Sequence, residues 1–326
     1  MNRKYLNPNV YFNKLTRLAL TCFSPIIALW EKLKAADYAN KPLMHQPVFI
    51  IGAPRTGSTI LYQGLTNYID VLYIDNLTSR LYKNFFFGIW LSRKVYKGRA
   101  HNNYKAEYGS TVRYGGSAPS ECGEFWYRWM PHGKHFLRAE DLAKKDLTQI
   151  RKEITGIINY HNKPIVFKNM NAGLRMQVLS KIFPDAKFIW IKRNPLYVSQ
   201  SLLEVRKKIN GNFDDWWSLM PKNYTALKEM DSTDQVVGQI YSIEKQINED
   251  CQLFPNENTL ILDYEELRNY GAILKKLHKF VGAGVGLKKN FIAPKIVIEE
   301  KNIFKRIVIS KLKNRIEELD WHDYKS

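Results

Sequence analysis

Val48-Phe49-Ile50-Ile51-Gly52-Ala53-Pro54-Arg55-Thr56-Gly57-Ser58-Thr59 decides how this chain folds. After Gln46-Pro47, four consecutive apolar residues form a short strand of the kind that is buried on both faces. The strand runs into a glycine-bounded turn. From Ser58 to Tyr68 the apolar residues Ile60, Leu61 and Leu65 share one side, which predicts a helix. In a strand, glycine turn and helix, successive backbone N–H groups and a helix N-terminus converge on an anion. A nucleoside-triphosphatase loop also places lysine directly after the second glycine. Here that position is Ser58, and the cation is Arg55, two residues before Gly57. Asp263, in Ile261-Leu262-Asp263-Tyr264-Glu265, is a weak match to a magnesium-binding aspartate. The loop therefore binds an anion without the lysine of a kinase.

Outward from the loop, short apolar strands alternate with helical stretches. Strands are predicted at 164–167, 187–191 and 258–262, and helices at 173–183, 195–208 and 265–280, with a terminal helix near 303–319. This alternation predicts an α/β fold of three layers, P-loop-like, with a central parallel sheet flanked by helices. Residues 76–135 break the pattern. They carry Phe85-Phe86-Phe87, Trp90, Trp126, Tyr127 and Trp129, and read as an insertion shaping an acceptor pocket. The organisation expected is a helical lead-in over 1–45, an α/β domain over 46–290 and a helical tail over 291–326.

The second informative stretch is Lys187-Phe188-Ile189-Trp190-Ile191-Lys192-Arg193-Asn194-Pro195, continuing to Ser199-Gln200-Ser201. A guanidinium at a strand end and a hydroxyl from the next helix suit a phosphate. Together the two stretches closely resemble those of the sulfotransferases that use 3′-phosphoadenosine-5′-phosphosulfate (PAPS). The first is similar to their 5′-phosphosulfate loop, Pro-Arg/Lys-Ser-Gly-Thr-Thr, with hydroxyl residues exchanged but kept. The second is similar to their 3′-phosphate motif, in which a serine follows the arginine by eight residues, as Ser201 follows Arg193. Lys168-Asn169-Met170, Phe183-Pro184-Asp185-Ala186 and Leu262-Asp263-Tyr264-Glu265-Glu266-Leu267 also resemble family landmarks, so the likeness covers roughly 46–285.

The resemblance implies that Arg55, Thr56, Gly57, Ser58 and Thr59 hold the phosphosulfate and that Arg193 and Ser201 hold the 3′-phosphate. It implies PAPS as donor, 3′-phosphoadenosine 5′-phosphate (PAP) as product, and no metal. The acceptor must lose a proton, so a general base is needed. The cytosolic branch of the family takes it from a Lys-Thr-His run, matched here by Lys168-Asn169-Met170, which has no histidine. Lys168 remains beside the transferred group. Branches similar to the bacterial and membrane-derived enzymes use a glutamate in a Pro-x-Glu setting, and Pro119-Ser120-Glu121 fits. Glu121 is the expected base and Glu124 the next candidate. Trp126 and His132 join Glu124 as expected acceptor-side residues, and Trp216-Trp217 as expected lining of the mouth. Two other readings compete. A P-loop kinase or nucleoside triphosphatase would need magnesium and prefer ATP, and a non-catalytic nucleotide-binding protein would bind PAP without transfer.

Composition bounds the partners. The 326 residues carry 50 Lys+Arg against 31 Asp+Glu, a net charge of +19. Such a field attracts polyanions. The basic residues are scattered, without the arginine block or zinc spacing of a dedicated nucleic-acid binder, so nucleic acid is not expected. The expected acceptor is a carbohydrate, a lipid or another small molecule. Cys22, Cys122 and Cys251 form no CxxC, which fits a reducing, cytoplasmic setting. The apolar run Leu18–Trp30 is broken by Ser24-Pro25 and flanked by Lys14, Arg17, Lys32 and Lys34. It is shorter than a membrane span and lacks the small-residue cleavage site of a signal peptide. A helix packed on the domain is favoured over a segment in peripheral contact with an anionic inner membrane face. Oligomeric state leaves no signature.

Overall fold

The computed structural model describes residues 8–294, 296, 298 and 300–321, with side chains described from residue 23 onward. In chain order the main elements are α1 (Pro8–Ala39), β1 (Val48–Ile51), α2 (Ser58–Tyr68), β2 (Leu72–Tyr73), α3 (Asn76–Arg80) and α4 (Phe85–Tyr96). There follow α5 (Gly123–Trp126), α6 (Lys144–His161), β3 (Ile165–Lys168), α7 (Met176–Ile182), β4 (Lys187–Lys192) and α8 (Pro195–Asn210). The last are α9 (Tyr224–Lys228), α10 (Ser232–Cys251), β5 (Thr259–Asp263), α11 (Tyr270–Gly282) and α12 (Arg306–Glu317).

The strands form one five-stranded sheet in the order β2-β3-β1-β4-β5. Every pair is parallel. β1 lies at the centre, with Phe49 in register with Phe167 on one side and Phe188 on the other. Side chains alternate across a strand, and that alternation builds the layers. Phe49, Ile51, Phe167, Phe188 and Trp190 face a core made with α6, α7, α8 and α10. Val48, Ile50, Val166, Ile189 and Ile191 face a second core made with α2 and α11. Phe49 stacks between Phe167 (5.3 Å) and Phe188 (5.7 Å). Burying each such ring contributes about 1.5–3 kcal/mol. With helices on both faces, this is the expected three-layer α/β fold.

Several expectations are corrected in detail. The helix read at 173–183 begins only at Met176, because Met170–Leu174 forms a tighter 3-10 turn. The helix read at 265–280 likewise divides into a 3-10 segment, Tyr264–Asn269, and α11. Residues 76–135 are not all pocket wall. Phe85, Phe86 and Ile89 recur at helical spacing on α4 and are buried in the first core. Trp126 is buried there too, against Phe49 and Phe167. α1 runs on through Pro25 as one helix. It packs through Trp30 and Ala35, and the Glu31 carboxylate accepts the Phe87 N–H at 2.8 Å. Of the lead-in, residues 1–7 lie outside the described part, as do the side chains of Lys14, Arg17 and Cys22. Residues 322–326 of the tail lie outside it as well.

Candidate active site

The C-terminal ends of β1, β3 and β4 open into a cleft of about 580 Å³. This is where open α/β sheets bind their ligands. Its floor is the 52–59 loop and the N-terminus of α2. Gly52 has φ +142°, and a Cβ there would lie 2.4 Å from the Ile191 carbonyl oxygen on β4. Gly57 has φ +89° and lies against the Tyr264 ring, where a Cβ would come within 2.6 Å. Both positions therefore require glycine. Arg55, with a full side chain, is also left-handed at φ +71°, a conformation that persists only where surrounding contacts impose it. Thr56 does not face the cleft. It is buried, and its hydroxyl donates to the Ala53 carbonyl at 2.8 Å, stapling the turn.

Three of the sequence-predicted residues meet at one end of this floor. Arg55 Nε donates to Ser201 Oγ at 3.0 Å. Arg193 Nη1 donates to the Arg55 carbonyl at 3.2 Å, and the Arg193 guanidinium lies 4.2 Å from the centre of the Tyr264 ring. Arg55 is largely shielded from water, and this burial, followed by the nearby Arg193 charge, pushes the Arg55 pKa down. Two guanidinium groups held this close form a site for a multiply charged anion. The Arg193 Nε pairs with Glu300 at 3.0 Å. Gln200 on α8 secures that segment through Asn302 (3.2 Å) and the Ile303 N–H (2.8 Å).

At the other end, Lys168 closes β3. Its side chain is 3% exposed, and Nζ donates to Thr59 Oγ1 at 3.1 Å while pairing directly with Glu121 Oε1. Glu121 reaches this point because its loop continues the sheet edge. The Ser120 N–H donates to the Ile74 carbonyl beyond β2 (2.8 Å), and Thr111 Oγ1 holds the Pro119 carbonyl (2.7 Å). The carboxylate is 38% exposed, so it is paired yet open to the cleft. Pocket walls come from Tyr104, Tyr108, Tyr127, Met170, Trp217 and Leu219.

The acceptor-side expectations fare differently. Glu124 is exposed and does not line the cleft. His132 is exposed and stacks on the Tyr127 ring at 4.1 Å, and Trp126 belongs to the core. Trp217 lines the cleft, whereas Trp216 lies against Tyr224 (4.8 Å) and the Arg206 guanidinium (5.0 Å). His135 lines the cleft but is ill-suited to be a base. Its Nδ1 accepts the Met220 N–H at 2.8 Å, which leaves the proton on Nε2. Burial and the Arg175 charge hold its pKa down to about 4, so a second proton is not taken up near neutrality. Among the described residues no group of three His, Cys, Asp or Glu side chains gathers as a metal site.

Comparison with known proteins identifies the family. Residues 47–283 match the model of the sulfotransferase family. The chain belongs to that family. A relative is the omega-hydroxy-beta-dihydromenaquinone-9 sulfotransferase Stf3 of Mycobacterium bovis, 24% identical over 291 residues, covering 81% of this chain and 70% of the relative. Among solved structures, sulfotransferase STF1 of Mycobacterium tuberculosis aligns over 90% of this chain and 82% of its own, with 12% identity and a TM-score of 0.49. Sulfotransferase STF9 of Mycobacterium avium aligns over 90% and 72%, with 13% identity and a TM-score of 0.48. The protein is thus a transferase that moves a sulfuryl group.

One residue of this sulfotransferase site escapes the motif reading. Glu244, buried on α10 beneath the loop, accepts the Ala53 N–H (2.9 Å) and the Trp190 indole N–H (2.8 Å). It ties the loop to β4. Desolvation pushes its pKa up to about 7, with the two N–H donors and Lys192 opposing the rise. The unfolded carboxyl titrates near 4.5. The folded protein therefore binds the extra proton between those values, and this contribution to stability is lost as pH rises through about 7. Wild type is expected to lose more melting temperature than Glu244→Gln between about pH 5 and about pH 8. Thermal unfolding across that range checks this, and parallel profiles would contradict it.

Proposed function

We propose that the sulfuryl donor is PAPS and that the acceptor is a hydroxyl on an apolar, lipid-like molecule. The observation that carries this reading is the convergence of Arg55, Arg193 and Ser201 at one end of the loop and of Glu121, Lys168 and Thr59 at the other. The first group suits the 3′-phosphate. The amides of Gly57, Ser58 and Thr59 with Arg55 suit the 5′-phosphosulfate, where a helix N-terminus favours negative charge. The acceptor oxygen attacks sulfur, a new S–O bond forms, and the bond to the bridging phosphate oxygen breaks with its electron pair leaving on PAP. Glu121 takes the acceptor proton. Lys168 and Arg55 stabilise the charge that develops on the leaving oxygen.

Tyr104, Tyr108, Tyr127, Met170, Trp217 and Leu219 on the cleft wall offer aromatic and aliphatic contacts to an acceptor, and the mycobacterial relative is named for a hydroxylated menaquinone derivative. Transfer of labelled sulfate from PAPS to hydroxylated lipids and to sugars tests the proposal. Labelling of the lipids above the sugars is expected, and labelling of sugars alone would overturn the acceptor class. Glu300 sets the affinity of the donor site, because the 3′-phosphate takes its place at Arg193. Glu300→Gln is expected to tighten PAP binding by on the order of tenfold in a calorimetric titration. Unchanged affinity would show that the phosphate does not compete with that carboxylate.

A further inference from the structure

The exposed face of α1 is not used by the site. Phe23, Ile26, Leu29 and Leu33 are 59%, 66%, 60% and 71% exposed. Steps of three, three and four residues place all four on one side of the helix. Single exposed apolar residues are ordinary, but a contiguous row signals a contact. The row adjoins an aromatic cluster at the α1–α4 junction, where Trp30 meets Phe87 (5.6 Å) and Trp90 (5.3 Å). These three rings are only partly buried. Lys94 lies over the Trp90 ring at 6.0 Å and is exposed, as are Lys32 and Lys34.

Charge decides what would cover this face. From residue 8 to residue 34 the chain carries Lys14, Arg17, Lys32 and Lys34 against the single acid Glu31. Glu31 is turned inward, bonded to Asn84 Nδ2 (3.2 Å) and the Phe87 N–H. The next acid, the exposed Asp37, lies a turn beyond Leu33. A convex helix with a bulky apolar row, partly exposed tryptophans and basic flanks matches a segment lying in the plane of an anionic bilayer. No helix among the described residues is long and apolar enough to cross a membrane. We propose that α1 and the adjoining edge of α4 dock this protein on an anionic membrane surface, with Phe23, Ile26, Leu29 and Leu33 entering the lipid boundary. The proposal rests on α1 and the adjoining edge of α4 and stands whatever the acceptor is.

The test is flotation of the full chain with vesicles of phosphatidylglycerol and phosphatidylcholine, beside vesicles of phosphatidylcholine alone. Wild type is expected to float with the anionic vesicles, and added salt to release it. Phe23→Gln, Ile26→Gln and Leu33→Gln combined should lower partitioning by at least about tenfold. PAP affinity and melting temperature should stay unchanged, showing an intact fold. Lys32→Glu with Lys34→Glu should remove the preference for the anionic lipid. Equal flotation of the triple variant, or no flotation of wild type, would overturn the proposal. So would concentration-dependent self-association, seen by sedimentation velocity and abolished by the triple variant without vesicle binding, which would assign the face to a second copy of the chain.

Discussion

Glu121→Gln is expected to lower the transfer rate by about 10²–10⁴-fold, the range typical of a lost general base. The amide keeps the size of the side chain and can still accept from Lys168, but it cannot take a proton. PAP affinity should remain within about twofold, because Glu121 lies at the acceptor end of the cleft. A loss in kcat with a preserved donor Kd separates a base from a donor ligand. Glu124→Gln, on an exposed side chain outside the cleft lining, is expected to leave the rate unchanged. If both variants kept wild-type rates, the proton would have to leave by another route. Lys168→Met provides the complementary control. It removes the cation that touches both Thr59 and Glu121, so it should lower the rate without abolishing PAP binding.

Arg193→Ala carries the second large effect. Arg193 holds the Arg55 carbonyl, rests on Tyr264 and points its Nε toward an anion, at present the Glu300 carboxylate. Removing a charged hydrogen-bonding partner costs about 1.5–3 kcal/mol per bond. PAP binding should therefore weaken by about 100-fold, at about 1.4 kcal/mol per tenfold. Arg193→Lys keeps the charge and loses the planar fork, so an intermediate loss is expected. Titration of PAP into the three proteins measures the series. An alanine variant that binds PAP as wild type does would remove Arg193 from the donor site.

What the sequence makes legible is what is local along the chain. The loop is readable because strand, glycine turn and helix are contiguous from Val48 to Tyr68, with the glycines at positions that admit no other residue. Arg193 and Ser201 are readable for the same reason, since one strand end and two helical turns place them. β2, only two residues long, leaves no pattern to read. α6 does carry Leu147, Ile150, Ile154 and Ile157 at helical spacing, but a reading centred on the phosphate motifs passes over it. The aromatic richness of residues 76–135 points toward a pocket, yet Phe85, Phe86, Phe125 and Trp126 fill the core while Tyr104, Tyr108 and Tyr127 line the cleft, since composition does not say which way a ring faces. Glu244 and Glu300 are unreadable for a different reason. Glu244 meets Ala53 across 191 residues of chain and Glu300 meets Arg193 across 107, and only the assembled sheet brings α10 beneath the loop and the 300–303 segment onto α8.

The central claim is a donor site for an adenosine carrying both 3′- and 5′-phosphate groups, built on the Arg55 loop and Arg193. Calorimetric titration of the purified protein with PAP in the absence of magnesium, beside ATP with magnesium, tests it most directly. Micromolar binding of PAP, not matched by ATP, is the predicted result. Preference for ATP with magnesium, or no binding of PAP, would contradict the account and return the loop to the kinase class.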